Sequence, residues 1–268
     1  MESEYLSSYR TLLAAFFLIP LCLYDIKSKA NIQVKEYFKL AFLPGFLLAL
    51  HFISWMHGCR MAEPANCSLI VNLTPLVTPL FLFVLIKEKL TQREILGTII
   101  VMLGVAFLAF YDFNESSAFF LGDMICLFSM FFFALYLIYS RKYKKLDSLW
   151  LYVACLYTWC GILCFITGLI IGKKPFDHFN SNNLQQILYL TVITTILGHS
   201  LLNFAMKNIR GQIVSIVNQF QFIFGALFGV IFFDRWPSIP FYIACLFLFI
   251  GCFVAVYRPK TSANLNTN

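Results

Sequence analysis

Acid is what the apolar stretches of this 268-residue chain lack. Asp25, Glu63, Glu88, Asp112, Asp123 and Asp234 all stand at the ends of hydrophobic runs, and no Asp or Glu occupies the middle of one. That absence argues against a proton-coupled cation exporter built round a central carboxylate. A coupled proton would instead need a histidine, whose unperturbed pKa lies near neutrality. Zinc-binding spacing is missing too. The nine cysteines contain no Cys-x-x-Cys pair, and Cys155, Cys160 and Cys164 do not converge on one helix face. They read as small buried hydrophobes, so no metal and no other cofactor is expected. Neither His-Glu-x-x-His nor a pair of intramembrane aspartates occurs, which sets a membrane-embedded enzyme well behind the other readings. Charge of either sign is scarce, at 12% of residues, while 60% are hydrophobic. Soluble domains are about 45–50% apolar, and the longest loops, Lys27 to Glu36 and Lys173 to Asn183, leave no room for a separate one.

What is present is a series of nine apolar runs: Ser7 to Ile26, Tyr37 to His57, Pro64 to Ile86, Glu94 to Tyr111, Gly122 to Ser140, Leu149 to Ile171, Leu184 to Met206, Gln212 to Phe233 and Ile239 to Tyr257. Each approaches the ~20 residues that a helix rising 1.5 Å per residue needs to cross about 30 Å of hydrocarbon. The sequence therefore predicts an all-α, polytopic membrane protein with nine transmembrane helices. Threading the chain through nine crossings puts 15 of its 20 Lys and Arg residues on one face. The positive-inside rule makes that face, and the C-terminus, cytoplasmic, and leaves the N-terminus of this chain outside. A net charge of +7 spread over short juxtamembrane loops points to topology and anionic headgroups, with no nucleic acid as partner. The 258–268 segment is short, polar and expected to be a disordered cytoplasmic tail.

An internal repeat is also legible. Leu50-His51-Phe52-Ile53-Ser54-Trp55 aligns with Gly198-His199-Ser200-Leu201-Leu202-Asn203, Ile70-Val71-Asn72 with Ile216-Val217-Asn218, and the Gly104 stretch with Gly251 to Tyr257. The offset stays near 146 to 148 residues. Lys87-Glu88-Lys89 to Arg93 carries three basic residues where Asp234-Arg235-Trp236-Pro237 carries one, so equivalent loops have opposite charge bias. Opposite bias predicts inverted copies, and inversion requires an odd number of helices per copy. Two five-helix units fit, with the first helix of the first unit missing from this chain. The units are residues 1–111, with four helices, and 112–257, with five.

Pro64 to Phe110, with Thr74-Pro75-Leu76-Val77-Thr78-Pro79, Lys87-Glu88-Lys89-Leu90-Thr91, Gly97 and Gly104, resembles the EamA-type block of the drug/metabolite transporter superfamily. The second half resembles it again through Gly198 to Asn203 and through Phe224-Gly225-Ala226-Leu227-Phe228-Gly229. The resemblance implies a ten-helix permease of two inverted halves with both termini cytoplasmic. Here the first helix of that pattern is absent, and Gln219-Phe220-Gln221-Phe222 replaces the usual Glu-Pro pair of the second half.

A polar side chain in hydrocarbon is costly, so it usually faces a cavity or a partner. His51, Trp55, Asn72, Thr74, Tyr136, His199, Asn203, Asn218 and Gln221 are the candidate substrate-binding residues, because they fall on equivalent helices of the two copies. Each also has a plainer reading: the histidines can bond a carbonyl, and Asn72 and Asn218 can join helices. Pro75 and Pro79 free backbone carbonyls and kink their helix, which opens a site or shapes packing. Arg10, near the start of the first run, reads as snorkelling to headgroups in preference to meeting an anion. The expected function is a permease of a small polar or amphipathic metabolite, such as an amino acid, working by alternating access in a bacterial inner membrane, with export favoured. The alternative is a non-transporting receptor or assembly protein of the same fold. The expected partners are the substrate and the lipid bilayer; a homodimer is the one assembly considered.

Overall fold

The computed structural model describes residues 2–29, 32–61, 70–112, 120–175, 180–234, 236–237 and 239–257. Cys67, Asn66, Arg235 and the 258–268 tail lie outside them. Every regular element among the described residues is a helix. This is what apolar runs of such length must form, since hydrocarbon offers no water to backbone N–H and C=O groups.

The helices are α1 Ser3–Phe17, α2 Ile19–Ser28, α3 Val34–Leu40, α4 Phe42–Met61, α5 Thr74–Ile86, α6 Gln92–Asp112, α7 Phe120–Lys142, α8 Leu149–Ile170 and α9 Ser181–Tyr189. After these come a π-helix, Leu190–His199, then α10 Ser200–Asn208, α11 Gly211–Val217, a 3-10 turn, Asn218–Phe220, α12 Gln221–Phe233 and α13 Ile239–Val256. Among the described residues, six segments are long and apolar enough to cross a bilayer: Ser3–Ser28, Phe42–Met61, Leu121–Lys142, Leu149–Ile170, Ser181–Asn208 and Ile239–Val256. The chain is a multi-pass membrane protein. Its first crossing begins at Ser3, four residues before the apolar run suggested. The polar start, Ser3-Glu4-Tyr5, is buried in the bundle, where Glu4 meets Lys173 and His57 and the Tyr5 hydroxyl donates to the Lys173 carbonyl.

Helix α4 packs on α7 and α8, α1 on α8, α5 on α7 and α11, and α6 on α13. The α6–α13 crossing is glycine-set. A Cβ on Gly251 would lie 2.5 Å from Val101 Cγ2 and 2.7 Å from the Gly97 carbonyl oxygen, so the helices meet with no room for a side chain. The kinked helix α5 is completed by its neighbours. Pro75 and Pro79 cannot donate to the carbonyls four residues before them, Val71 and Pro75. Thr74 Oγ1 donates to the Val71 oxygen at 2.5 Å, and Gln212 Nε2 of α11 donates to the Pro75 oxygen at 3.0 Å. The carbonyls freed by these prolines therefore serve packing.

Ion pairs gather at two ends of the bundle. At one end Arg141 meets Glu88 at 3.0 Å, Lys29 meets Asp25 at 2.8 Å, and Arg210 meets Glu94. At the other, Lys173 reaches Glu2 at 2.5 Å and Glu4 at 3.1 Å, while His57 Nε2 lies 2.6 Å from Glu4. The hydrogen bond from Lys173 is the main influence holding the Glu2 carboxyl below its ordinary value of 4.5. Burial works to lower the Lys173 ammonium, but its bonds to Glu2 and Glu4 outweigh that and raise it above 10.5. A lowered carboxyl stabilises above its unfolded value and loses that effect as pH falls through its folded one; a raised amine does the reverse. The pair thus stabilises between the two. Lys173→Met should lower the melting temperature in detergent at pH 7, and its difference from wild type should shrink below about pH 4. A difference independent of pH would assign Lys173 a packing role alone.

Candidate functional site

The site begins with a local irregularity. Thr191-Val192-Ile193-Thr194-Thr195-Ile196 is an unbroken run of six β-branched residues. Such side chains crowd the preceding turn of an α-helix. Here the chain widens into a π-helix, and the Thr194 and Thr195 hydroxyls both donate to the Leu190 carbonyl, at 2.7 and 3.0 Å. π-Turns concentrate at functional sites. This one brings Leu190, Thr194, Gly198 and His199 to the wall of one cavity.

The cavity measures about 930 Å³, near the upper end of ligand pockets. Its walls come from α1 (Leu6, Ser7, Arg10), α4 (His51, Phe52, Trp55), α7 (Phe133), the π-helix and α10, and α11 through the start of α12 (Val214, Asn218, Gln221). The lining is mostly apolar, and among the described residues it includes no Asp or Glu. Aromatic rings tie its two sides together. Phe133 lies 4.9 Å from His51 and 6.1 Å from His199 between ring centroids, and Phe52 lies 5.2 Å from His199.

Five of the nine residues singled out from the sequence line this cavity: His51, Trp55, His199, Asn218 and Gln221. The other four stand behind it. Asn72 accepts a hydrogen bond from Gln221 Nε2 at 3.2 Å. Asn203 Nδ2 donates to the Tyr136 hydroxyl at 2.5 Å and to the His199 carbonyl at 2.6 Å, and Tyr136 lies 3.5 Å from His199 Nδ1. Thr74 bonds within its own helix start. Asn72, Tyr136 and Asn203 thus position wall residues, and Thr74 shapes α5. His51 is held from behind as well: Ser129 Oγ donates to the His51 carbonyl at 2.9 Å, and His51 Nδ1 lies 3.0 Å from the Ser129 carbonyl. With Nδ1 donating there, Nε2 is left as an acceptor.

Arg10 is the wall residue that the sequence pointed away from. Its guanidinium lies 3.8 Å over the Phe52 ring, within cation–π range. Its Nη1 reaches Thr194 Oγ1 only at 3.5 Å, and its Nε is buried without a partner. The signal that could have revealed this is depth. Arg10 stands seven residues into a helix starting at Ser3, about 10 Å along its axis at 1.5 Å per residue.

The chain is thus a helical, multi-pass membrane protein with a ligand-sized cavity walled by several of its crossing helices. A family model, the EamA-like transporter family, matches residues 1–110 and 120–257. The chain belongs to that family. Among similar proteins, an "Uncharacterized transporter in sor 3'region" of Acidianus ambivalens is 25% identical over 66% of this chain and 68% of its own length. An "Uncharacterized transporter in trpA 3'region" of Buchnera aphidicola subsp. Schlechtendalia chinensis is 22% identical over 72% of this chain and 64% of its own. "Uncharacterized transporter YyaM" of Bacillus subtilis (strain 168) is 25% identical over 63% and 55%. The matches thus span between about half and two thirds of these relatives. One solved crystal structure shares the fold, with a TM-score of 0.76 at 16% identity over 96% of this chain and 88% of its own.

Proposed function

We propose that this chain is a permease that carries a small metabolite through the central cavity by alternating access, with export as the favoured direction. The observation that carries the reading is the cavity itself, whose walls come from residues 6–71 on one side and 133–224 on the other. A site shared between two such halves can open to one side and then the other as they rock. The family membership supports transport, and the buried polar wall residues supply the specific contacts.

In this reading the chain makes nine crossings, arranged as residues 1–111 and 112–257, two inverted copies of one five-helix plan. Helices α5 and α12 support it. Both have 13 residues, their starts lie 147 positions apart at Thr74 and Gln221, and each is followed by a left-handed non-glycine residue, Lys87 (φ 57) or Asp234 (φ 52). The ion pairs support the threading: each joins residues assigned to the same face. The face rich in Lys and Arg is then cytoplasmic, with the C-terminus there, in the plasma membrane of a bacterial cell.

The test is flux. Purified protein is reconstituted into vesicles loaded with a small-metabolite extract, and the contents are followed by mass spectrometry against protein-free vesicles. Time-dependent loss of particular compounds is the expected result. Retention of every compound would favour a non-transporting receptor or assembly protein of the same fold.

A further inference from the structure

We infer that the cavity takes a small organic anion, a carboxylate on an apolar or aromatic body, in preference to a zwitterion or a cation. This rests on the reading of the cavity as the transport site and specifies the chemistry of its occupant. Two polar atoms in the wall are buried with no hydrogen-bond partner, Arg10 Nε and Asn218 Nδ2. Both are donors. Two other wall donors are engaged: Gln221 donates to Asn72, and Thr194 to the Leu190 carbonyl. The two unpartnered wall donors call for acceptor oxygens, with His51 Nε2 the acceptor left beside them.

Charge points the same way. Arg10 is a fixed cation, and no acid among the described lining residues offsets it. An unneutralised charge in a largely apolar space is costly. Its contact with Phe52 and the long bond to Thr194 relieve only part of that cost. A carboxylate does so most fully, because the guanidinium fork matches its two oxygens. An amino acid would bring its ammonium into a wall with no carboxylate to receive it. A cation would meet Arg10 with nothing to offset the repulsion. Beyond the charge, Phe52, Trp55 and Phe133 offer ring faces and Leu202 and Val214 aliphatic surface, which favours an apolar body over a sugar or a polyanion.

Three probes share one body and differ in charge: 3-phenylpropionate, phenylalanine and phenethylamine. Their binding to the full chain in phosphatidylcholine nanodiscs is followed by tryptophan fluorescence, which Trp55 in the wall can report. Expected is an affinity for 3-phenylpropionate at least about tenfold above the other two, a difference of 1.4 kcal/mol. Arg10→Gln should erase the preference, Arg10→Lys retain part of it, and Asn218→Leu weaken the anion alone. Equal or stronger binding of phenylalanine or phenethylamine would overturn the inference, as would an unchanged preference in a folded Arg10→Gln protein. Displacement of the probe by phosphatidylglycerol at membrane levels would make a lipid the anion and overturn a soluble occupant. Vesicle flux of the same probes separates this from the broader reading. Anion-selective binding without flux of any probe or metabolite counts against the permease, and flux blind to probe charge counts against the anion.

Discussion

Gly198→Leu is expected to stop transport while leaving the protein folded. An added Cβ at Gly198 would have as its nearest neighbour the Ile193 carbonyl oxygen, at 3.5 Å, an ordinary contact. The rest of the leucine side chain would enter the cavity, beside His199 and opposite the helices that carry Arg10 and His51. A substrate shaped to that space would then be misfitted, and each 1.4 kcal/mol of misfit costs tenfold in binding. Vesicle flux should fall about tenfold or more, with the melting temperature in detergent within a few degrees of wild type. Gly251→Leu is the control, because it makes the same chemical change where no space exists. There the first added carbon would collide with Val101 and the Gly97 carbonyl, so the loss should appear in folded yield. Undiminished flux in Gly198→Leu would show that substrate does not pass through this cavity.

Glu94→Gln should be the most damaging single substitution for stability among the ion pairs. Glu94 is only 1% exposed, and Arg210 donates to both of its carboxylate oxygens, through Nε and Nη2. Its own helix start uses it too. The Thr91 N–H donates to Glu94 Oε2 at 2.7 Å, and the Glu94 N–H donates to Thr91 Oγ1 at 3.2 Å, forming a capping box at the head of α6. Glutamine can keep the cap through its one oxygen, but it removes the charge and turns one of the two acceptors of Arg210 into a donor. Its bond to Glu94 also steadies Arg210, holding the guanidinium above the ordinary arginine value. Breaking a buried pair costs about 3–5 kcal/mol. With 28% of the Arg210 side chain exposed, the lower end, about 3 kcal/mol, is the expected loss. It would be read as a drop in melting temperature and in membrane abundance. Adding Arg210→Met should recover part of it, since the stranded charge is then gone. If the double variant is as unstable as the sum of the two single ones, the pair is not coupled as described.

The capping box illustrates what could be read from the chain. Thr91-Gln92-Arg93-Glu94 is visible as a helix start in sequence, but the partner that gives Glu94 its weight, Arg210, is 116 residues away. The same holds for the α5 prolines. Sequence identifies which carbonyls Pro75 and Pro79 release, and only the docking of α11 makes Gln212 the donor to one of them. The candidate site divides in the same way. His51, Trp55, His199, Asn218 and Gln221 reach the cavity, whereas Asn72, Tyr136 and Asn203 hold those residues from behind. A polar residue in an apolar helix must find some partner, and periodicity cannot say whether that partner is a substrate or another helix. Arg10 carried the same ambiguity and resolved the other way.

By itself, the sequence determined the helical class, the membrane environment and the family. Long apolar runs without internal acid have one stable form in a bilayer, and the glycine, proline and helix-end patterns are local. Tertiary structure alone decided that the chain encloses a cavity, that Arg10 lines it, and that Arg10 Nε and Asn218 Nδ2 are buried there without partners. Those facts depend on which face of each helix meets which neighbour, and that is fixed by contacts between residues far apart in the chain.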